Sequence, residues 1–423
     1  MIKEQEYKKR RERFAKQMEK NSVAVFFSAE QKVRSNDTEY PYRQESNFYY
    51  LTGFKEDNSV LVFEKKNSET KIYLFVQKKD PLMELWSGKR LGEKAAKEIF
   101  SVDDIFTSEQ FLIKAKEFLE EKTNLYYDFK IQNKNLEQIK QLGRNVIKLK
   151  DAAVIVQNMR LLKSSAEIAL IKKALSITKD AHHQAMKLSK RLTFEYELQA
   201  EIEYVFKKNG AYSDAYTTIV ASGDNANTLH YIDNDKALKK GDLILIDAGC
   251  EYNYYASDIT RTIPVSGKFT QAQKELYAMV LDVEKKIIKM IKPKVLRSEL
   301  QVEAEKLLCQ GMIELGILKG ELKKLLKDKA HKKYFPHGIG HYMGLDVHDQ
   351  NPYKDNKGKE IPLKAGMVLT IEPGIYLPED DKKVPKKYRG IGIRIEDDIL
   401  VTKEGHENLS REIKKEIKDI EAL

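Results

Sequence analysis

The stretch Gly241-Asp-Leu-Ile-Leu-Ile-Asp-Ala-Gly249 is an apolar run that stops on a carboxylate, Asp247. Residues 243–246 have the length and residue types of a buried strand, and the glycines on either side act as punctuation. Farther on, Asp258 stands near the start of Ser257-Asp-Ile-Thr-Arg-Thr-Ile-Pro264, a second strand-like run. A connection this short lets the two runs pair antiparallel and brings Asp247 and Asp258 together. Adjacent carboxylates repel unless something cationic lies between them. Taken alone, the pair would fit two surface turns equally well.

Amphipathic helices and further strands surround this pair. Ser164 and Glu167 form a capping box ahead of Ile168, Ile171 and Leu175 at helical spacing. A second helix is expected after Thr193, with Leu198, Ile202, Val205 and Phe206 on one side and a stop at Asn209-Gly210. A third runs from Thr270 through Leu276, Val280, Val283 and Ile287 to Pro293, and a fourth starts after Ser298 and ends near Gly316. Strand-like runs cover 242–247, 257–264, 367–372 and 390–401. The expected architecture is two pairs of helices on a curved antiparallel sheet. Ahead of it, 22–27, 59–63 and 71–75 read as strands and 84–100 and 109–121 as helices, which makes a mixed α/β domain. The fold class is therefore α/β (α+β), with domains 1–158 and 159–423.

Composition narrows the function classes. With 423 residues, 41% hydrophobic and 33% charged, the chain is globular and well solvated, not disordered. No run approaches the roughly 18 apolar residues that span a bilayer, so no membrane partner is expected. The residues from Met1 to Lys20 are heavily charged and lack the apolar segment of a secretory signal. Two cysteines, Cys250 and Cys309, offer neither a disulfide framework nor a cysteine-rich zinc site. These features point to the cytoplasm. The net charge of +10 raises the question of nucleic acid. Its densest part, Lys323 to Lys333, is broken by Leu325, Leu326 and Asp328 and has no interleaved aromatics, so it reads as a solvated surface and no nucleic-acid partner is expected.

Two more segments carry unusual residues. Phe335-Pro-His-Gly-Ile-Gly-His-Tyr-Met-Gly-Leu-Asp-Val-His-Asp349 holds His337, His341 and His348 out of eight histidines in the chain. The spacing of His337 and His341 suits a helical zinc pair, but Pro336, Gly338, Gly340 and Gly344 argue for a bent, strand-like segment. Met367-Val-Leu-Thr-Ile-Glu-Pro-Gly374 carries Glu372 at the end of an apolar strand. Gly390-Ile-Gly-Ile-Arg-Ile-Glu-Asp-Asp398 alternates, with Ile391, Ile393 and Ile395 on one face and Gly392, Arg394 and Glu396 on the other. Facing an interior, Arg394 and Glu396 need partners; facing solvent, they would simply pair with each other. Asp247, Asp258, Glu372 and Glu396 with His341 form a hard, oxygen-rich donor set that suits two divalent cations. Ions held in this way polarise a carbonyl and acidify water, which is the chemistry of hydrolysis.

With these motifs in hand, the chain resembles the Xaa-Pro aminopeptidases (aminopeptidase P), of the metallopeptidase group that includes prolidase and methionine aminopeptidase and has the pita-bread, creatinase-like fold. The resemblance runs from about Arg10 to the C-terminus and rests on Leu-Ile-Asp-Ala-Gly, Ser-Asp-Ile-Thr-Arg-Thr, His-Gly-Ile-Gly-His, Thr-Ile-Glu-Pro-Gly and Arg-Ile-Glu-Asp-Asp in family order. It implies that Asp247 chelates one metal, that His341 and Glu372 bind the other, and that Asp258 and Glu396 bridge them. Manganese is the metal it implies. His230 would line the substrate cleft, and His337 and His348 would contact the substrate and its reacting carbonyl. Glu372 would shuttle the proton, Arg394 would orient a ligand carboxylate, and Tyr376 would join the substrate contacts. In the N-terminal half, the stretches 35–53 and 84–92 resemble the domain that mediates oligomerisation in this family. Asp37, Trp86 and Arg160 become candidate cleft-rim residues, with core packing as the other reading of Trp86. A homo-oligomer, dimer or tetramer, is implied, with peptides carrying proline in second position as substrates.

Other readings are separable. Prolidase shares the ligand set, but the short stretch between His348 and Met367 favours the aminopeptidase. Methionine aminopeptidase needs no such N-terminal domain, and creatinase lacks the metal ligands. A catalytically inactive peptide-binding module of the same fold would have lost ligands that are all present here.

Overall fold

The computed structural model describes residues 2–142 and 148–423. It resolves into two compact units, Met1–Arg160 and Leu161–Leu423.

The first unit is built on a six-stranded sheet. Its strands are β1 (Ser22–Phe27), β2 (Val60–Lys66), β3 (Glu69–Val76), β4 (Asp104–Thr107), β5 (Asn124–Tyr127) and β6 (Lys148–Asp151), in the order β4-β3-β2-β1-β5-β6. The pairs β1–β2 and β2–β3 are antiparallel, and the others are parallel. Its three predicted strands are present. The parallel members β4, β5 and β6 are short and gave no periodic signal of their own. The helix expected over 84–100 is two helices, Pro81–Ser87 and Gly92–Ile99. The break falls after Ser87, where Gly88 takes φ of +92°, a value that an α-helix cannot contain. Trp86 on the first of these helices is 81% exposed, which rules out its core reading.

In the second unit the predicted helices pair as Ser165–Leu188 with Glu195–Lys208 and Gln271–Met290 with Arg297–Glu314. Local chemistry fixes their starts. The Ser164 hydroxyl accepts from Glu167 N–H at 3.3 Å while Glu167 Oε2 accepts from Ser164 N–H at 2.9 Å, and Thr270 with Gln273 repeats the arrangement. Leu276, Tyr277, Val280, Val283 and Ile287 form the buried stripe of the third helix. Against the helices lie β7 (Ile219–Ser222), β8 (Leu243–Asp247) and β9 (Thr260–Pro264) in one antiparallel sheet. The strands β10 (Val368–Ile371), β11 (Gly374–Leu377), β12 (Ile391–Arg394) and β13 (Asp397–Val401) pair as β10–β13 and β11–β12. This is the expected architecture of two helix pairs with antiparallel strands.

Two strands depart from expectation. The run 257–264 becomes regular only at Thr260, and the run 390–401 is interrupted at Ile395 and Glu396. At the interruption the chain leaves its partner β11 for β10, so residues 395 and 396 belong to neither ladder.

Candidate metal centre

The five candidate ligands stand at strand ends or beside them. Asp247 closes β8, opposite Thr260, and Asp258 lies just ahead of β9. Glu372 follows β10, and Glu396 occupies the break between β12 and β13. His341 sits on a non-helical segment laid along β10, where Thr370 N–H donates to the His341 carbonyl and Glu372 N–H to the Ile339 carbonyl, both at 2.9 Å. A Cβ at Gly340 would stand 1.9 Å from the Thr370 carbonyl oxygen, so only glycine lets the segment lie this close. Gly340→Ala is expected to cost at least about 2 kcal/mol in urea unfolding of the metal-free protein. Wild-type stability in that variant would mean that the two backbones part without penalty.

The donors converge. Ligand atoms of Asp258, His341 and Glu396 all lie within 4.8 Å of one another. His341 Nε2 is 3.2 Å from Asp258 Oδ2 and 4.0 Å from Glu372 Oε1. The Thr260 hydroxyl donates to Glu396 Oε2 at 2.7 Å, and the Tyr216 hydroxyl to Asp247 Oδ1 at 2.6 Å. Arg394 is buried, which excludes its pairing with Glu396 on a solvent face. It donates instead to Asp247 Oδ2 at 2.6 Å, to the Tyr376 hydroxyl at 2.9 Å and to the Thr260 hydroxyl at 3.0 Å. Tyr376 accepts from Arg394, so its own proton goes to His337 Nε2 at 2.8 Å. His337 Nδ1 is then the nitrogen that donates, to the Gly338 carbonyl at 2.8 Å. A single relay therefore links Asp247, Arg394, Tyr376 and His337.

One cavity of about 430 Å³ is lined by all five candidate ligands, by Arg394 and by His230, His337 and His348. Ile219, Leu229, Ile232 and Val347 add apolar wall. The rings of His341 and His348 meet edge to face at 4.3 Å.

Electrostatics make this a site short of positive charge. Burial, with Asp258, Glu372 and Asp247 nearby, pushes the Glu396 carboxyl well above the usual carboxylate range. Burial raises Glu372 to about 7, against the opposing pull of His341 and Arg394. Burial alone would lower His341, but the Asp258 and Glu372 carboxylates carry it up to about 9. Burial and Arg394 together hold His337 down at about 3, so it is neutral. Four hard oxygen donors and an imidazole converging on one buried pocket fit a divalent ion. Both the Glu372 and the His341 shifts mean that the folded, metal-free chain holds more protons than the unfolded one. Its stability therefore falls as pH rises, from 4.5 to about 7 for Glu372 and from 6.5 to about 9 for His341. A bound dication takes the place of those protons. The Tm gap between metal-loaded and chelated protein should widen by about 5 °C or more between pH 5.5 and 8.5. A gap that narrows with pH would contradict this charge balance.

The remaining predicted residues lie in the first unit. Asp37 is exposed, at the turn of a small hairpin. Trp86 is exposed on its short helix, and Arg160 is buried and donates to Asn47 Oδ1 at 2.8 Å. Tyr216 and Thr260 were not singled out by sequence reasoning. Thr260 was within reach, two residues after Asp258 on a strand of period two. Tyr216 lies on a loop with no periodicity to mark it.

The comparisons with known proteins agree with this geometry. The model of metallopeptidase family M24 matches residues 169–403, and that of the aminopeptidase P N-terminal domain matches residues 7–126. Among curated relatives, the Xaa-Pro aminopeptidase of Haemophilus influenzae is 41% identical over 99% of this chain and 97% of its own length. That of Escherichia coli is 42% identical, with 100% of this chain and 98% of its own covered. A zinc-substituted E. coli aminopeptidase P in complex with product superposes with a TM-score of 0.95 at 40% identity, covering 100% of this chain and 98% of that one. On that match the chain belongs to metallopeptidase family M24 and is a hydrolase that works with a divalent metal.

Proposed function

We propose that the protein hydrolyses the N-terminal Xaa-Pro bond of peptides, releasing the first residue where proline stands second. The observation that carries this reading is the convergence of Asp247, Asp258, His341, Glu372 and Glu396 on a cavity that also presents His230, His337, His348 and Arg394. The Xaa-Pro aminopeptidases matched along almost the whole chain support it.

In this reading Asp247, Asp258, His341, Glu372 and Glu396 would hold the two divalent ions, with Mn2+ as the ion used. When bound, the ions supply Lewis acidity to the scissile carbonyl and to water. The protein's own groups do the rest. Arg394 fixes the orientation of Asp247, and the Thr260 hydroxyl fixes that of Glu396. Glu372 would take a proton from the attacking water and pass it to the leaving imino nitrogen. His230 and His348 face the cavity where they can donate to the reacting carbonyl, and His337 is held ready by Tyr376. The first unit would serve a cytoplasmic homo-oligomer, a dimer or tetramer. Asp37, Arg160 and the exposed Trp86 are its candidates for touching peptide.

The test is to strip the protein with chelator, restore Mn2+ and offer Xaa-Pro-Yaa, the dipeptide Xaa-Pro and Met-Ala-Ser. Metal-dependent release of Xaa from the tripeptide is expected. Cleavage of the dipeptide alone would make the protein a prolidase, and no cleavage with metal bound would make it a binding module.

A further inference from the structure

Behind the cavity lies a set of buried charges that the reaction does not use. Arg261, on β9, is 0% exposed, and all five of its N–H groups are engaged. They reach the carbonyls of Glu396 at 2.6 Å, Thr260 at 2.9 Å, Ile413 at 3.1 Å and Lys414 at 3.1 Å, and Asp397 Oδ1 at 2.7 Å. The other Asp397 oxygen accepts from Asn408 Nδ2 at 2.6 Å and from the Lys415 ammonium, which also meets Glu284 Oε1 at 2.5 Å. The segment that brings Lys415 here is itself tied down. The Tyr277 hydroxyl donates to the Lys415 carbonyl at 2.8 Å, and Lys414 N–H donates to His183 Nε2 at 3.2 Å.

The consequence falls on Glu396. In the break between β12 and β13 it has no ladder partner of its own. Its N–H donates to the Thr260 carbonyl at 3.1 Å and its carbonyl is held by Arg261, so that guanidinium fixes half of the ligand's backbone. Arg261 keeps that geometry while Lys415 shares the charge of Asp397 and also meets Glu284, whose carboxyl burial and Asp397 push up to about 8. Without Lys415 the charge of the buried Asp397 would fall on one guanidinium, which would have to give up a neutral carbonyl to meet both of its oxygens.

We infer that Lys415 is a positioning residue for the metal ligand Glu396, acting through Asp397 and Arg261. The C-terminal segment around it, beyond the matched region 169–403, thereby belongs to the metal-binding apparatus. The inference rests on the proposed reading of Glu396 as a ligand.

The experiment compares metal-stripped wild type, Lys415→Met, Lys415→Arg and Glu396→Ala by calorimetric titration with Mn2+ and by the visible absorption of added Co2+. Lys415→Met should weaken metal binding by about tenfold to a hundredfold and shift the Co2+ bands, with Lys415→Arg recovering most of the loss. Turnover should fall while the peptide KM stays within about threefold, since no substrate contact is touched. If Lys415→Met does not fold, Lys415→Gln, which keeps a donor but drops the charge, takes its place in the same titrations. Wild-type affinity and Co2+ bands in the folded variant, with metal lost in Glu396→Ala, would overturn the inference and leave the ligand reading standing. Undiminished metal binding in Glu396→Ala would overturn both.

Discussion

Replacing Glu396 with alanine is expected to lower kcat/KM by at least about a thousandfold, because Lewis acidity worth several kcal/mol is lost with the ion it helps to hold. The carboxylate is 2% exposed and lies with Asp258 and His341 in the tightest group of donors at the site. Its effect on stability should have the opposite sign. In the metal-free chain, burial and its acidic neighbours push Glu396 well above the usual range, so it is a carboxyl group held at a cost. Chelated Glu396→Ala should therefore unfold at a temperature no lower than chelated wild type, while metal no longer raises its Tm as it does for wild type. Differential scanning calorimetry with and without Mn2+, alongside peptide hydrolysis, checks both halves. An active variant would remove Glu396 from the site.

Arg394→Met is the second large effect and runs the other way on stability. The guanidinium is 4% exposed and its closest partner is Asp247, at 2.6 Å. Removing one member of a buried pair strands the other, at about 3–5 kcal/mol. Here the stranded carboxylate would face Asp258, Glu372 and Glu396 across the cavity, with the Tyr216 hydroxyl still donating to it. Chelated Arg394→Met should show that loss in denaturant unfolding. Metal should restore part of it, since a dication supplies the missing charge. Turnover should fall by about ten- to a hundredfold, as expected when the group that orients a ligand is lost. Arg394→Lys should rescue poorly, because an ammonium cannot reach Asp247, Tyr376 and Thr260 at once as a planar fork does. Full rescue by lysine would reduce Arg394 to a point charge.

Much of the second unit was legible in the sequence because its signals are local. Capping boxes at Ser164 and Thr270 mark helix starts, and apolar runs ending on Asp247 and Glu372 mark strands that deliver a carboxylate. The glycines around His341 correctly argued against a helix, for a reason that the Gly340 contact with Thr370 makes physical. What could not be read was pairing. The alternation of residues 390–396 gives way at Asp397-Asp398 to the apolar run Ile399-Leu-Val401, but neither pattern reveals which neighbour each half of the strand will choose. Tyr216 and Arg261 were missed for a related reason. The partner of each is remote in sequence, so their importance exists only after folding. In the first unit the short parallel strands β4, β5 and β6 are defined by long-range pairing more than by pattern.

The scatter of the ligands along the chain has a consequence for biosynthesis. The first donor is residue 247 and the last is residue 396, and the guanidinium that steadies the last is itself held by residues 413 and 414. At about 5–20 residues per second, a ribosome needs roughly ten seconds to travel from the first donor to the last. Until then the emerging polypeptide would offer an ion at most part of the proposed set. On that ligand set, metal loading would follow the folding of the C-terminal strands, as a late maturation step.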